Sequence, residues 1–210
     1  MTRIIIVGAG GFGREILSWS KDAFKLKKDF EIVGFLDADS QALRGYECNL
    51  PVLGDPSEYQ PGCDDRFVCA LGQPKVKLKV CKDLKVKGGQ FLTMVHPSAV
   101  VGDRCILGEG CVLCPGAVVT TDVTLGDFVT INAQATVGHD AVVGDGSTLS
   151  GHADVTGFAQ LGEGVFLGSH ACVLPKAKVG SFAIVGAGTV VLCNVKPNST
   201  VFGVPAKKVL

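Results

Sequence analysis

A six-residue period governs the second half of the chain. Between Val101 and Lys196 the sequence divides into sixteen consecutive blocks without an insertion, from VGDRCI and LGEGCV through INAQAT and VGHDAV to VGAGTV and VLCNVK. The first position is Val, Leu or Ile in all sixteen, the fifth is always Ala, Val, Cys, Ser or Thr, and the second is Gly in nine. Repetition on this scale is the mark of a solenoid. Two inward positions per block, one branched and one small, suit a narrow prism, because the small side chain leaves room where the chain turns a corner. Gly, Asn and other polar residues near the corner supply unusual backbone angles. Three blocks make one coil of eighteen residues, so residues eighteen apart stack at about the 4.8 Å spacing of paired strands. The whole repeat amounts to about 5.3 coils, roughly 25 Å tall.

The period also bears on the nine cysteines. The opening MTRIIIVGAGG is too short in its apolar part for a signal peptide and reads as a first strand. No run approaches the ~18 apolar residues of a membrane helix. We therefore expect a cytoplasmic protein without membrane insertion, in which an odd number of cysteines argues against a disulfide framework. Cys111 and Cys114 form a lone CxxC without the four-ligand set of a zinc site. Cys105 and Cys111 fall on fifth positions and read as small core residues, and Cys114 falls on a corner, so no metal is expected. Twenty Lys and Arg balance twenty Asp and Glu, which gives no general attraction to nucleic acid.

Residues 1–95 read differently. Arg3–Val7 is a buried strand running into Gly8-x-Gly10-x-x-Gly13, the spacing of a dinucleotide-binding turn. Helical spacing follows over Phe12–Leu26, then strands over Phe30–Leu36, within residues 50–55 and over Phe67–Leu71, closed by Gly72. Over residues 74–89 the lysines alternate as in a strand, while Pro74 and the spacing of Val76, Val80 and Leu84 favour a helix with a basic exposed face. A last strand, Gln90–Val95, leads into His96-Pro97. This is a small parallel α/β unit, about one mononucleotide half of a full dinucleotide fold. The half that would cradle a nicotinamide is missing, so no NAD is expected, although the turn still suits a phosphate.

A short nucleotide-binding domain fused to hexapeptide coils resembles the bacterial nucleotide-sugar acetyltransferases of the hexapeptide-repeat superfamily. The resemblance is to the bacillosamine and perosamine N-acetyltransferases and their sialic acid O-acetyltransferase relatives. It rests on GAGGFG (8–13), FLDAD (35–39), HPSAVVG (96–102), INAQATVGHD (131–140) and GVPAKKV (203–209). It implies a Rossmann-like α/β domain (1–95) that binds nucleotide sugar, then a left-handed parallel β-helix (96–210) with a C-terminal tail. The left hand is implied by the resemblance alone, since general crossover rules favour the right.

The resemblance implies acetyl-CoA as co-substrate, a homotrimer, and His139 as general base, a task suited to imidazole. Asp140 would hydrogen-bond the ring, Asn132 would share the site, and the Gly157 N–H, one coil beyond His139, would meet the thioester oxygen. Gly10, Gly11, Phe12, Gly13, Asp37 and Gly72 would line the nucleotide-sugar site. Phe12 stands where some relatives carry His, and Asp37 also suits a turn-capping role. Lys207 and Lys208, with Gly157, would meet CoA. His152 and His170, eighteen apart at fourth positions, should stack on the outer surface. The histidine spacing of γ-class carbonic anhydrases, which share this solenoid, is not reproduced. The expected reaction is N-acetylation of a nucleotide-linked amino sugar. Acetylation of a sugar hydroxyl, a non-catalytic nucleotide-sensing trimer and an oxidoreductase are the alternatives.

Overall fold

The computed structural model describes residues 1–25 and 29–209. Near the N-terminus, β1 (Thr2–Val7), β2 (Phe30–Leu36), β3 (Val52–Gly54) and β4 (Asp65–Cys69) form one parallel sheet in the order β3-β2-β1-β4. Ile4, Ile5, Ile6 and Val7 are fully buried because helix α1 (Gly11–Ala23) covers one face and helix α2 (Pro74–Val86) the other. Gly13 lets α1 approach the sheet, since a Cβ there would stand 2.0 Å from the Gly8 carbonyl oxygen. The end of the helix expected over Phe12–Leu26 includes Leu26, which lies outside the described residues.

From β5 (Met94–Val95) onward the chain coils into the left-handed parallel β-helix. Its short strands, of two residues each except Thr200–Phe202, stack in three faces, of eight, six and five strands among the described residues. Face I includes Val112–Leu113, Thr130–Ile131 and Thr148–Leu149; face II includes Val118–Val119, Thr136–Val137 and Asp154–Val155; face III includes Thr124–Leu125, Val142–Val143 and Gln160–Leu161. Partners lie eighteen residues apart, as in Thr130 with Thr148 and Thr136 with Asp154. First-position Leu, Val and Ile and fifth-position Ala and Val form one continuous core.

The corners show a rule that the sequence reading did not isolate. At every fourth position from Arg104 to Gly188 the backbone has positive φ, between 56° and 70°. Non-Gly residues there, among them Phe128, Phe158 and Phe182, carry a left-handed strain of about 1–2 kcal/mol each. The ladder's register then breaks at the end: Val185 pairs with Val201, sixteen residues on, and Val179 bridges Val195. The sixteenth sequence block thus does not complete an eighteen-residue step, because Leu192–Asn194 make a shorter corner. A hairpin of Thr200–Phe202 with Lys207–Lys208 closes face I.

The two parts meet over face I and the III–I edge. Ser20 donates a hydrogen bond to the Met94 sulfur (3.3 Å), and Met94, Val112 and Cys114 join the α1 core. Helix α2 lies along the edge, where Leu78 occupies the space a Cβ on Gly146 would need. The expected basic exposed face of α2 is present in Lys75, Lys79, Lys82 and Lys85, and Lys77 departs from it. Lys77 is fully buried, with Leu78, Cys81 and Leu84, and Val76 is exposed. Of the predicted stripe, Leu84 is buried and Val80 packs against the same cluster, while Val76 gives its place to Lys77, which faces a polar patch on the solenoid. Lys77 Nζ donates to Thr148 Oγ1 (2.8 Å), Thr130 Oγ1 (2.9 Å) and the Ser147 carbonyl oxygen (3.2 Å). Burial pushes its ammonium down to about 8. Lys82 pairs with Glu163 (2.9 Å), and Lys85 with Glu109 and Asp127. The predicted Gln90–Val95 strand is divided: Phe91 bridges Phe67 of the sheet, and Met94–Val95 joins face I.

Candidate functional site

His139 projects from the II–III edge, the edge opposite face I. Its block places it at a third position, just past the Thr136–Val137 strand, and Asp140 takes the left-handed fourth position (φ 59°). That sharp corner swings the carboxylate back to the ring, so His139 Nδ1 and Asp140 Oδ2 lie 2.8 Å apart. Both side chains are about half exposed, at 57% and 43%. With Nδ1 engaged, Nε2 is the nitrogen left to accept a proton.

Gly157 stacks one coil beyond His139. A Cβ there would stand 2.7 Å from His139 Nε2, so any side chain would displace the imidazole. The Gly157 N–H has no acceptor among the described residues. His139, Asp140 and Gly157 therefore form one exposed group: a ring nitrogen, a carboxylate orienting the other nitrogen, and a free backbone donor.

The same edge carries residues that the sequence reading passed over. Asp122 lies one coil before Asp140 and Phe158 one coil after, so the eighteen-residue rule already pointed to both. Arg104 makes a two-bond fork to Asp122 (2.6 and 2.7 Å), which holds that carboxyl below its usual range. The Phe158 ring meets the His139 ring edge-on, with centroids 5.2 Å apart. Asn132 is not brought to this group. It sits at the I–II edge, where its Oδ1 accepts the Ala133 N–H (2.7 Å). His152 and His170 stack on that edge as expected, with rings 4.7 Å apart and 3° from parallel. His96 is held at the domain junction by Ser98 (2.7 Å) and lies 3.9 Å from Asp22. Among the described residues no cluster of three or more His, Cys, Asp or Glu is arranged to hold a metal ion. Cys111 and Cys114 are buried; burial pushes the Cys111 thiol up to about 11 and the Cys114 thiol higher.

The N-terminal turn is open where the sequence placed substrate. A Cβ on Gly10 or Gly72 would meet nothing within 4 Å, so neither glycine is there for packing. Gly11 opens α1, whose first N–H groups lack intrahelical partners. Phe12 leans on the α1 core. Asp37 is tied into the turn, its Oδ2 accepting from the Ala9 N–H (2.8 Å) and its Oδ1 from the Asp39 N–H (2.9 Å). Arg14, in the first turn of α1, stacks 3.5 Å over the Tyr46 ring, a contact between distant parts of the chain that no period announces. Lys207 and Lys208 are exposed on the closing hairpin, and Lys208 lines a hollow with Cys193, Pro205 and Ala206.

Residues 3–84 match the PglD N-terminal domain family. The chain is 29% identical over 117 residues to UDP-N-acetylbacillosamine N-acetyltransferase of Bacillus subtilis (strain 168), a match covering 54% of this chain and 51% of that protein. The matched stretch thus spans about half the length of that curated relative. Two solved structures align along nearly the whole chain. One is the acetyltransferase domain of PglB from Neisseria gonorrhoeae FA1090 in complex with acetyl coenzyme A (28% identity, TM-score 0.88, 99% of this chain and 98% of that one). The other is PerB from Caulobacter crescentus in complex with CoA and GDP-perosamine (29% identity, TM-score 0.88, 100% and 98%).

Proposed function

Given this full-length likeness to nucleotide-sugar acetyltransferases of the hexapeptide β-helix type, we propose that the chain transfers acetyl from acetyl-CoA to the amine of a nucleotide-linked amino sugar. The observation that carries the reading is the grouping of His139, Asp140 and Gly157 on one exposed edge. The sugar amine attacks the thioester carbonyl carbon and passes its proton to His139 Nε2. Asp140 holds the ring through Nδ1 and stabilises the imidazolium. The Gly157 N–H donates to the oxyanion of the tetrahedral intermediate. The C–S bond then breaks, and the CoA sulfur leaves with the proton from the imidazolium. The nucleotide seats at the Gly10–Gly13 turn, between Asp37 and Gly72, where the N–H groups at the start of α1 favour phosphate. Lys207 and Lys208, exposed on the closing hairpin, hold the CoA phosphates in this reading.

The placement of the two sites supports a homotrimer. The nucleotide turn belongs to the domain docked on face I, and His139 projects from the opposite edge of the prism. A nucleotide sugar held by one copy therefore meets His139 of another, and Asn132, on a second edge, enters the site from a neighbouring copy. No helix of the described residues is long and apolar enough to cross a membrane.

The test is CoA release from acetyl-CoA with paired amino- and hydroxy-sugar nucleotides, GDP-perosamine among them. Turnover is expected with the amines alone. His139→Ala should cost about 10²–10⁴-fold in kcat with its melting temperature unchanged. Full activity in that variant overturns the mechanism, and turnover with hydroxyl acceptors alone makes the enzyme an O-acetyltransferase.

A further inference from the structure

We propose that Phe158 is a positioning residue for the His139 imidazole, an inference that rests on His139 being the base. Three phenylalanines occupy left-handed corners of the solenoid: Phe128, Phe158 and Phe182, at φ near 60°. A bulky side chain is a poor choice at such an angle, and glycine takes the equivalent corner at 110, 146 and 164. For Phe128 and Phe182 packing explains the choice. Phe128 is 2% exposed, edge-on to Phe91 at 5.0 Å, and Phe182 packs into the same cluster beneath α2. Phe158 has no such cover. It stands 47% exposed, and the aromatic ring it meets is His139.

Backbone strain that packing does not explain is kept where a site needs the side chain. On an exposed corner, the bond to Asp140 fixes one nitrogen of the imidazole but leaves the ring free to swing about that anchor. The edge-on contact with Phe158 removes the swing, and the Phe158 N–H bonds the His139 carbonyl oxygen (2.9 Å), fixing the two backbones together. Nε2 is thereby kept over Gly157, where attacking amine and thioester carbonyl meet. Misplacement of a base by an ångström is enough to slow a reaction strongly.

The experiment compares Phe158→Gly and Phe158→Tyr with the parent chain by three measurements: thermal unfolding, the His139 imidazole NMR signals, and kcat and KM for acetyl-CoA with GDP-perosamine as acceptor probe. Glycine relieves the left-handed corner, so its melting temperature should hold or rise. Its imidazole signals should move toward those of free histidine as the ring current is lost. Its kcat should fall about tenfold or more with KM within about twofold, the pattern of a lost transition-state contact. Tyrosine should restore both the signals and most of kcat. Unchanged imidazole signals in the glycine variant, or a melting temperature that falls together with kcat, overturns the proposal. If the parent chain releases no CoA with any acceptor, the acetyltransferase reading fails, and the NMR and unfolding measurements still decide the role of Phe158.

Discussion

Along the III–I edge of the prism, Phe128 and Phe182 sit on left-handed corners under helix α2, joined to it by Leu78, Phe91 and the buried Lys77. Along the II–III edge, Phe158 sits on the same kind of corner beside His139, Asp140 and the Arg104–Asp122 fork, and no second layer of the described residues covers it. The coil geometry is the same on both edges. What differs is whether a second layer packs on the corner. Where it does, the side chains act as core and their loss should be felt in stability. Where it does not, the side chains are exposed and their loss should be felt in turnover.

That contrast can be broken at four points. Phe128→Ala on the covered edge should lower stability by about 3–5 kcal/mol, read by denaturant unfolding, since it empties a filled site between the solenoid and α2. Lys77 tests the same seam by pH. Its folded value near 8 lies below its ordinary 10.5, so between these limits the unfolded chain binds more protons and stability rises with pH. The burial cost is fully present below about pH 8 and is relieved toward pH 10.5, a change on the order of 3 kcal/mol at 1.36 kcal/mol per unit. Lys77→Met should lose this rise, seen as the difference between the two unfolding profiles. On the bare edge, Gly157→Ala puts a methyl against His139 Nε2; about 10²-fold should be lost from kcat, with the melting temperature nearly unmoved because the imidazole it pushes out of place is more than half exposed and is not part of the core. Smallest of all, Arg104→Met should leave denaturant unfolding nearly unchanged, because the pair it breaks is exposed. A large stability loss from Gly157→Ala, or none from Phe128→Ala, would erase the distinction between the edges.

The solenoid was legible because its determinants are local and repeated. Val, Leu or Ile at one position and a small residue four later recur until faces, core and stacking partners follow by counting. The N-terminal strands and helices were legible in outline for the same reason. Lys77 was not, because a lysine in a helical pattern reads as solvent-facing until its acceptors are known, and Thr130, Ser147 and Thr148 lie far along the chain. The split of Gln90–Val95 was hidden likewise, since one apolar run serves two sheets. The shortened corner at Leu192–Asn194 escaped because VLCNVK keeps the inward residues of the period while its backbone leaves the coil. At the site, His139, Asp140 and Gly157 fell together because they lie one residue or one coil apart. Asn132 did not, because seven residues carry the chain past a corner. Arg14 on Tyr46 needed a loop closure that no spacing encodes.

The hairpin of Thr200–Phe202 with Lys207–Lys208 has a consequence for assembly. A stack of coils is a ladder whose last rung still offers unpaired amide and carbonyl groups. At the first end the N-terminal domain stands in the way, and at the other the antiparallel strand and its lysines turn the chain back across the final coil. The tail is thus a stopper for the stack. A version cut ahead of Thr200 should join end to end into growing fibres, visible as scattering that rises with concentration, whereas the whole chain stays a closed particle.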